Sequence, residues 1–582
     1  MNVINLIKQK MIKTPWAKFY NKNDLKIKCD NISMYESLKR VVSLYENHYC
    51  INYYGKKITY REFLNSIDKA ALAFRSQGVR RGDVVTICMP NTPEAMICFY
   101  AINKIGAISN MIHPLSGEVE IKNYLTSTSS VMLVMIDICY EKVKNIISET
   151  NVYKTIVVSA RDSMPTFTGL GYQFVRGYKV KRPNKSEAYL YWKDFMKKAA
   201  GYSSFSSVKV SKDDPAVILH SGGTTGNPKG IILSNGNFNA LTEQAKIVFS
   251  DIEVGDRVLG IMPIFHGFGL GVSTIGPFIL GCELVMIPEF NAKKFDKLLE
   301  KYRPNVIFGV PTLYEALVNT QDMSLDLSNL KYAISGGDSL SISLIRRVNL
   351  FLREHGSKIK ISQGYGMTES LAAITLSFGK AYREGSIGIP FPGNYIKIVV
   401  PGTQDEVPYG EDGEICVSGP TVMLGYLDNE KETNEMLQIH KDGLVWLHTG
   451  DIGMMSDEGI LYYKQRLKRM IISSGYNIYP SYVEEVIESH PSVLKCSVVG
   501  IPHPYKVEVP KAFIVLKNDY NPLTVKASIK EYCKKNLASY AIPREFEFRK
   551  SLPKTLIGKV DFKRLREEAV EDAKEKWKDG SL

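Results

Sequence analysis

The chain of 582 residues is 44% hydrophobic and 23% charged, the ordinary balance of a folded globular protein, and its length allows about four domain-sized units. A disulfide-stapled mini-protein, a collagen, a coiled coil and a disordered tail are excluded. The net charge of +13 is spread without a block of five or six like charges, so nucleic acid has no support as a partner, whereas small anions suit a diffusely basic surface.

The opening stretch MNVINLIKQKMIKTPWAKFY lacks the apolar core and cleavage site of a signal peptide. It reads as a terminal helix packed on the fold; the alternative is a membrane-surface helix with Lys8, Lys10, Lys13 and Lys18 beside Trp16. Asp83 to Pro90 predicts a buried strand. Thr92 to Ile105 predicts a helix with Thr92 as cap and Pro93 at its first position, and Val131 to Asp137 predicts a further strand. This alternation argues for α/β layers. Residues 160–212 are rich in Ser, Lys, Tyr and Gly and read as an exposed insertion. Ala216 to Leu219 is a strand. Phe268 to Pro288 is the most membrane-like stretch, but Pro277, Glu283 and its glycines make it a buried core segment. Val306 to Val310, Tyr332 to Ser335 and Ile359 to Ser362 predict parallel strands, whose carboxyl ends hold ligands in open α/β sheets.

After 468 the texture changes. Helices are predicted over Ser481 to Ser489, Val525 to Asn536 and Phe562 to Lys578, with a strand over Lys511 to Leu516. The expected fold is therefore α/β: a large N-terminal multi-subdomain α/β domain, 1–467, and a smaller, hinged C-terminal α+β domain, 468–582. Nine scattered cysteines without a CxxC pair read as buried reduced thiols of a cytoplasmic protein. No spacing indicates a zinc site.

The strongest motif is Leu219-His-Ser-Gly-Gly-Thr-Thr-Gly-Asn-Pro-Lys-Gly230. Glycines let backbone N–H groups approach an anion closely. Hydroxyls of Ser221, Thr224 and Thr225 can donate to phosphate oxygens, and Lys229 adds a mobile positive charge. It is not a Walker loop, because GxxxxGK[ST] is absent. Gly267-Phe-Gly-Leu-Gly271 has the wrong spacing for a dinucleotide fingerprint, and no GxSxG elbow supports a serine hydrolase.

The twelve-residue string resembles the phosphate-binding signature of the adenylate-forming superfamily; with the apolar run Phe268 to Ile279 and Gly309-Val-Pro-Thr312, the chain as a whole is most similar to that family's acyl-CoA synthetases and fatty-acid–CoA ligases. Further signatures follow in that family's order: Ser335-Gly-Gly-Asp338, Gln363-Gly-Tyr-Gly-Met-Thr-Glu369, Gly413-Glu-Ile with Gly425-Tyr426, and His448-Thr-Gly-Asp451. Arg466-Leu-Lys468, Gly475-Tyr-Asn-Ile-Tyr-Pro480 and Pro553 to Lys559 complete the series.

The resemblance implies a two-step reaction. A carboxylate, expected to be a medium- or long-chain fatty acid, attacks the α-phosphorus of ATP to give acyl-AMP and pyrophosphate. CoA then takes the acyl group and AMP leaves. It also implies residue roles. Lys559 would be the mobile catalytic lysine, and Glu369 would hold Mg2+ with Thr368 on phosphate. His266 would gate the carboxylate. Gly222, Gly223 and Gly226 would cradle phosphate with Ser221, Thr224, Thr225 and Lys229. Tyr365 would stack on adenine, with Gly336 and Gly337 leaving room for the base, and Asp451 and Arg466 would contact ribose. Lys468 would be the hinge, and Gly475 would clear a pantetheine tunnel. Gln465, Arg469 and Tyr482 depart from the common pattern around the hinge. Ile472 stands where luciferases carry a lysine, which disfavours light emission.

Three alternatives stay open at this stage: transfer of the acyl group to an acyl carrier protein, ligation of an aryl or other carboxylic acid, and a non-catalytic nucleotide or acyl sensor. Oligomeric state is not legible.

Overall fold

A computed structural model describes residues 12–175, 177–201, 208–221, 229–320, 324–473, 476–503, 506–518, 520–555 and 560–578, without the side chains of 201, 221, 476, 477 and 574–578. The chain divides into two compact units. One is Met1–Ile396 with Val417–Leu447; the other is Lys397–Cys416 with His448–Leu582.

The first unit is built on two sheets of the predicted α/β kind. In one, Val84–Cys88 lies between Ile108–Ile112 and Met132–Ile136, parallel to both. Pro215–Ser221 continues the sheet beyond Ile108–Ile112, followed by Lys229–Ser234 and the edge strand Gly425–Tyr426. The helix Pro93–Lys104 follows Val84–Cys88, with Pro93 in its first turn and the Thr92 side chain capping it. It is buried almost all round, as a helix with apolar residues on every face must be. In the second sheet Arg257–Gly260, Val306–Gly309, Tyr332–Ser335 and Ser362–Tyr365 run parallel in that order.

Three expectations need correction. The strand expected over Ile359 to Ser362 is Ser362–Tyr365. The N–H of Ile361 is taken by the Asn349 side chain at 2.8 Å, so the ladder starts one residue later while Ile361 still packs inward. Segment 160–212 is only partly an exposed insertion. Tyr189–Tyr191 adds a parallel strand beside Lys154–Val158, and the short helix Trp192–Lys197 buries Trp192 and Phe195, the latter 4.8 Å from the Phe74 ring. Two apolar residues three apart suffice for a helix face but vanish in the average over a polar stretch. At the N-terminus, residues 1–11, with Lys8 and Lys10, lie outside the described residues. Of the rest, Pro15–Phe19 is a short 3-10 turn with Trp16 buried, so that aromatic is part of the fold.

The segment from Phe268 is buried as expected. It forms a π-helix, Phe268–Ile275, followed by the helical turn Gly276–Ile279 and the strand Glu283–Met286. Among the described residues no helix is long and apolar enough to cross a membrane. All nine cysteines are free, and all but Cys29 are buried.

The second unit contains the antiparallel pair Val493–His503 and Val507–Leu516, with Glu545–Phe548 parallel to the latter. The helices Pro480–Glu488, Pro522–Asn536 and Phe562–Lys578 correspond to those predicted. Val483, Ile487, Ile529 and Phe546 form one side of its core, and Phe513, Leu565 and Ala569 another.

One buried acid in the first unit carries a pH signature. Glu94, in the first turn of Pro93–Lys104, is 1% exposed and accepts from Ser163 Oγ at 2.5 Å. Burial pushes its pKa up to about 7 despite that hydrogen bond. The folded chain therefore holds a proton that the unfolded chain releases above its ordinary value, and stability falls as pH rises from that value to about 7. Glu94→Gln is expected to abolish this fall, on the order of 3 kcal/mol in total. Chemical denaturation of both proteins at acidic and mildly basic pH checks it; parallel pH profiles would refute it.

Candidate active site

The glycine-rich motif closes a hairpin. Pro215–Ser221 runs antiparallel to Lys229–Ser234, with Ser221 opposite Lys229 and His220 opposite Gly230. Gly222, Gly223, Thr224, Thr225 and Gly226, and the Ser221 side chain, lie outside the described residues. The base of the hairpin is rigid in composition: His220 is buried, with Nε2 2.7 Å from Asn110 Oδ1 and its ring 4.3 Å from that of Tyr124. Burial pushes its pKa down to about 4, so it supplies a neutral imidazole.

Lys229, at the other foot of the hairpin, is held from two sides. Its Nζ lies 2.7 Å from Glu432 Oε2 and 5.0 Å from the centre of the Tyr426 ring. Tyr426 sits on the edge strand, opposite Ile231, and its hydroxyl donates to Glu369 Oε1 at 2.9 Å. A continuous polar chain, Glu432–Lys229–Tyr426–Glu369, thus joins the predicted phosphate lysine to the predicted metal acid.

Glu369 owes its position to a re-entrant loop. Tyr365, which is buried, ends its strand opposite Thr375. Thr368 and Glu369 lie in the 3-10 turn Thr368–Ser370. Leu371 and Ala372 then take left-handed backbone angles, φ 51° and 63°, unusual for two successive residues with side chains. The Ala372 N–H returns to the Met367 carbonyl at 2.8 Å. A Cβ at Gly366 would lie 2.2 Å from the Ala372 carbonyl oxygen.

The His266 segment packs on this loop. A Cβ at Gly267 would meet the Ala372 Cβ at 3.3 Å, and one at Gly271 the Leu371 side chain at 3.2 Å. The π-helix brings the Pro263 carbonyl oxygen to 1.9 Å from any Cβ at Gly269, so its wide turn admits only glycine there; π-turns are frequent at functional sites. Asn91 anchors the approach: its amide donates to the Gly260 and Met262 carbonyls at 3.0 and 2.9 Å and accepts from the Ile264 N–H at 3.1 Å. Gly336 and Gly337 follow the strand Tyr332–Ser335. The space a side chain would fill at Gly336 faces the Phe268 ring at 3.3 Å, and Gly337 has φ +78°. In this chain Gly336 therefore admits an aromatic ring of the protein itself.

In the second unit Asp451 and Arg466 are cross-strand partners. Arg466 Nε lies 3.0 Å from Asp451 Oδ1, and Asp451 is 1% exposed. Glu414 braces the strand ahead of Asp451: one carboxylate oxygen lies 3.1 Å from His448 Nδ1 and the other accepts from the Gly450 N–H at 3.0 Å. Burial raises the Glu414 pKa, but the His448 and backbone bonds outweigh it and hold the group below its ordinary value. A Cβ at Gly413 would stand 2.5 Å from the Val399 carbonyl oxygen. Lys468 is exposed in the 3-10 turn Leu467–Arg469. Arg469 pairs with Glu484 at 2.6 Å and lies 3.5 Å from the centre of the Phe562 ring, which gives this departure from the common pattern a structural role. Gly475 and Lys559 lie outside the described residues.

Sequence reasoning missed Glu432 and Asn91. It also missed Glu414 as a brace and the Tyr426 hydroxyl as the donor to Glu369. Glu414 and Tyr426 stand in motifs, which was a signal; Asn91 precedes the capped helix and had none beyond its polarity.

The chain belongs to the AMP-binding enzyme family. The family profile matches residues 38–427, and the profile of the AMP-binding enzyme C-terminal domain matches residues 482–559. The chain is 32% identical over 575 residues to a long-chain-fatty-acid–CoA ligase of Bacillus subtilis (strain 168), covering 96% of this chain and 98% of that one. It is 31% identical over 532 residues to a ligase of the same name from Yersinia pestis, covering 89% and 91%. The solved structure of ATP-bound MatB from Rhodopseudomonas palustris shares the fold with a TM-score of 0.80 at 23% identity, over 93% of this chain and 99% of that one. The anthranilate CoA ligase AuaEII in complex with anthranoyl-AMP gives 0.79 at 24%, over 94% and 98%.

Tyr426→Phe keeps the ring over Lys229 and removes only the donor to a buried carboxylate. It is expected to destabilise the chain by about 1.5–3 kcal/mol, read by chemical denaturation. Unchanged stability would show that Glu369 does not depend on this bond.

Proposed function

We propose that this chain is an AMP-forming ligase that joins a medium- or long-chain fatty acid to CoA at the expense of ATP, in a reducing, cytoplasmic setting. The observation that carries the acyl class is the likeness to long-chain-fatty-acid–CoA ligases, 32% identical over 575 residues in the Bacillus subtilis case; the first unit also holds a narrow apolar crevice of about 20 Å³, too small as it stands for an alkyl chain. Its walls include Leu241, Ala245, Phe249, Val272, Phe308 and Ala373. Ala373 directly follows the left-handed pair that folds the Glu369 loop, so one short segment joins the crevice wall to the acid.

In the first step a carboxylate oxygen forms a bond to the α-phosphorus while the bond to pyrophosphate breaks. Negative charge gathers around that centre and needs fixed donors and cations. Lys229, Thr368 and the loop with Ser221, Thr224 and Thr225 serve the phosphates. Tyr365 serves the base, Asp451 and Arg466 the ribose, and His266 the carboxylate entrance. Lys559 bridges carboxylate and α-phosphate oxygens. Glu369 suits a divalent cation, since it is a carboxylate fixed in a protein pocket by Tyr426 and hard ions prefer such oxygens. Mg2+ bound there would offset phosphate charge. In the second step the CoA thiol attacks the acyl carbon, gives up its proton, and AMP departs. Rotation at Lys468 would exchange Lys559 for the Gly475 face between steps.

Two substitutions test this reading. Lys559→Ala is expected to slow carboxylate-dependent pyrophosphate release roughly 10²–10³-fold while thioester formation from supplied acyl-AMP is spared; undiminished release would overturn it. Ala245→Trp should obstruct the crevice and lower kcat/KM for a C16 acid at least about ten-fold relative to a C6 acid. An unchanged chain-length profile across an acid panel would place the acyl group elsewhere.

A further inference from the structure

The helix Thr166–Val175 presents its apolar side to solvent. Phe167, Leu170 and Phe174 recur at helical spacing and are 90%, 51% and 78% exposed; Val175 is 70% exposed and Tyr178, just beyond, 63%. The side turned to the fold is carried by Gly169, whose position faces Arg161 and Met164 at 3.7–3.8 Å, and by Tyr172, which packs on the core. Large apolar side chains gathered on one exposed helix mark an interaction surface rather than ordinary surface scatter.

The flanking charge says which surface it fits. From Ser163 to Ser186 there is no acidic residue, and Arg176, Lys179, Lys181, Arg182 and Lys185 are basic. Arg182 is committed to the buried Asp137. The acids that face Lys181 and Lys185 are shared: Glu141 lies 3.1 Å from Lys144 and 3.5 Å from Lys181, and Asp194 lies 2.6 Å from Lys185 and 3.6 Å from Lys197, while Lys179 lies over the Tyr178 ring. One acid between two lysines leaves net positive charge, and exposed pairs of this kind bind weakly enough to exchange partners.

We propose that Thr166–Val175 is an interfacial anchor that lies in the headgroup layer of an anionic bilayer, with Phe167, Leu170 and Phe174 among the acyl chains and Lys179, Lys181 and Lys185 on lipid phosphates. Side chains this exposed form a convex ridge. A folded protein partner would need a matching groove, whereas a bilayer yields to a ridge, and amphipathic helices flanked by lysines bind it by this combination. The anchor would hold the chain where the long-chain acids proposed above accumulate. That benefit rests on the functional reading, but the binding does not.

The test is co-sedimentation of the full chain, without turnover, with vesicles of phosphatidylcholine alone or with about a third phosphatidylglycerol. Binding to the anionic vesicles is expected, weakened by salt, with amide hydrogen exchange slowed over residues 166–175. Phe167→Ser/Phe174→Ser should weaken it at least about ten-fold and leave activation of a short, soluble acid unchanged. Lys179→Glu/Lys185→Glu should erase the preference for anionic lipid. Absence of binding, equal binding by the serine variant, or vesicle-free self-association that the serine variant abolishes would each overturn the proposal. The exchange measurement decides on the unaltered chain should a variant fold poorly.

Discussion

A carbon atom added at Gly366 would stand 2.2 Å from the carbonyl oxygen of Ala372, a separation no side chain tolerates. The loop between them can close only because that carbon is missing, and its closure sets the surroundings of Glu369. It turns the chain back after Tyr365, stands Glu369 against the Tyr426 hydroxyl, and presents Leu371 and Ala372 to the glycines of the π-helix segment. It then leaves Ala373 in the wall of the apolar crevice. Two left-handed residues with side chains are costly, on the order of 1–3 kcal/mol each. The surrounding packing over-determines them, which is the circumstance in which such strain persists at functional loops.

Around that loop the polar partners come from distant parts of the chain. The edge strand Gly425–Tyr426 contributes Tyr426, and the helix Glu430–Met436 contributes Glu432. Asn91, from the turn ahead of Pro93–Lys104, fixes the approach to His266. These residues act through others, by holding Glu369, Lys229 or the His266 backbone in place. Buried or half-buried charges held by several partners keep their geometry before any ligand arrives, and pre-set donors are the main source of electrostatic catalysis.

The legibility of all this from sequence follows the range of the interactions. The helix Pro93–Lys104 was readable because its signals are local: a capping threonine, a proline in the first turn, an uninterrupted apolar run. The strand at Ser362–Tyr365 was misplaced because a side chain, Asn349, claims the Ile361 N–H, and no periodicity encodes that. Tyr189–Tyr191 and Trp192–Lys197 were hidden inside a polar stretch because so few apolar residues sufficed to dock them. At the site, the motif residues Glu369, Lys229, Asp451 and Arg466 could be picked out one by one. Their pairings, Lys229 with Glu432 and Asp451 with Arg466, could not, since each depends on a register between strands or on a helix returning from far along the chain. Phe268 at the face of Gly336 is the same lesson reversed: the glycine was legible, but the ring that occupies its open side was not.

Those pairings bear on how a polyanionic substrate would enter. Within the first unit Lys229 rests on Glu432, and within the second Arg466 rests on Asp451. Two of the cations proposed to meet the nucleotide, Lys229 and Arg466, are thus engaged with carboxylates. A lysine or arginine free in solvent would lose up to about 2 kcal/mol of rotamer entropy on being fixed, whereas a paired one has already lost most of it. The Lys229–Glu432 pair is partly exposed, and such pairs contribute only about 0–1 kcal/mol, so exchanging its carboxylate for a phosphate oxygen would cost little; Asp451 is buried, and its pair with Arg466 is outside that range. The ring of Tyr426 lies against Lys229 while its hydroxyl donates to Glu369. Under the proposed function, the Lys229–Glu432 pair is better understood as a holder of orientation than as a source of stability.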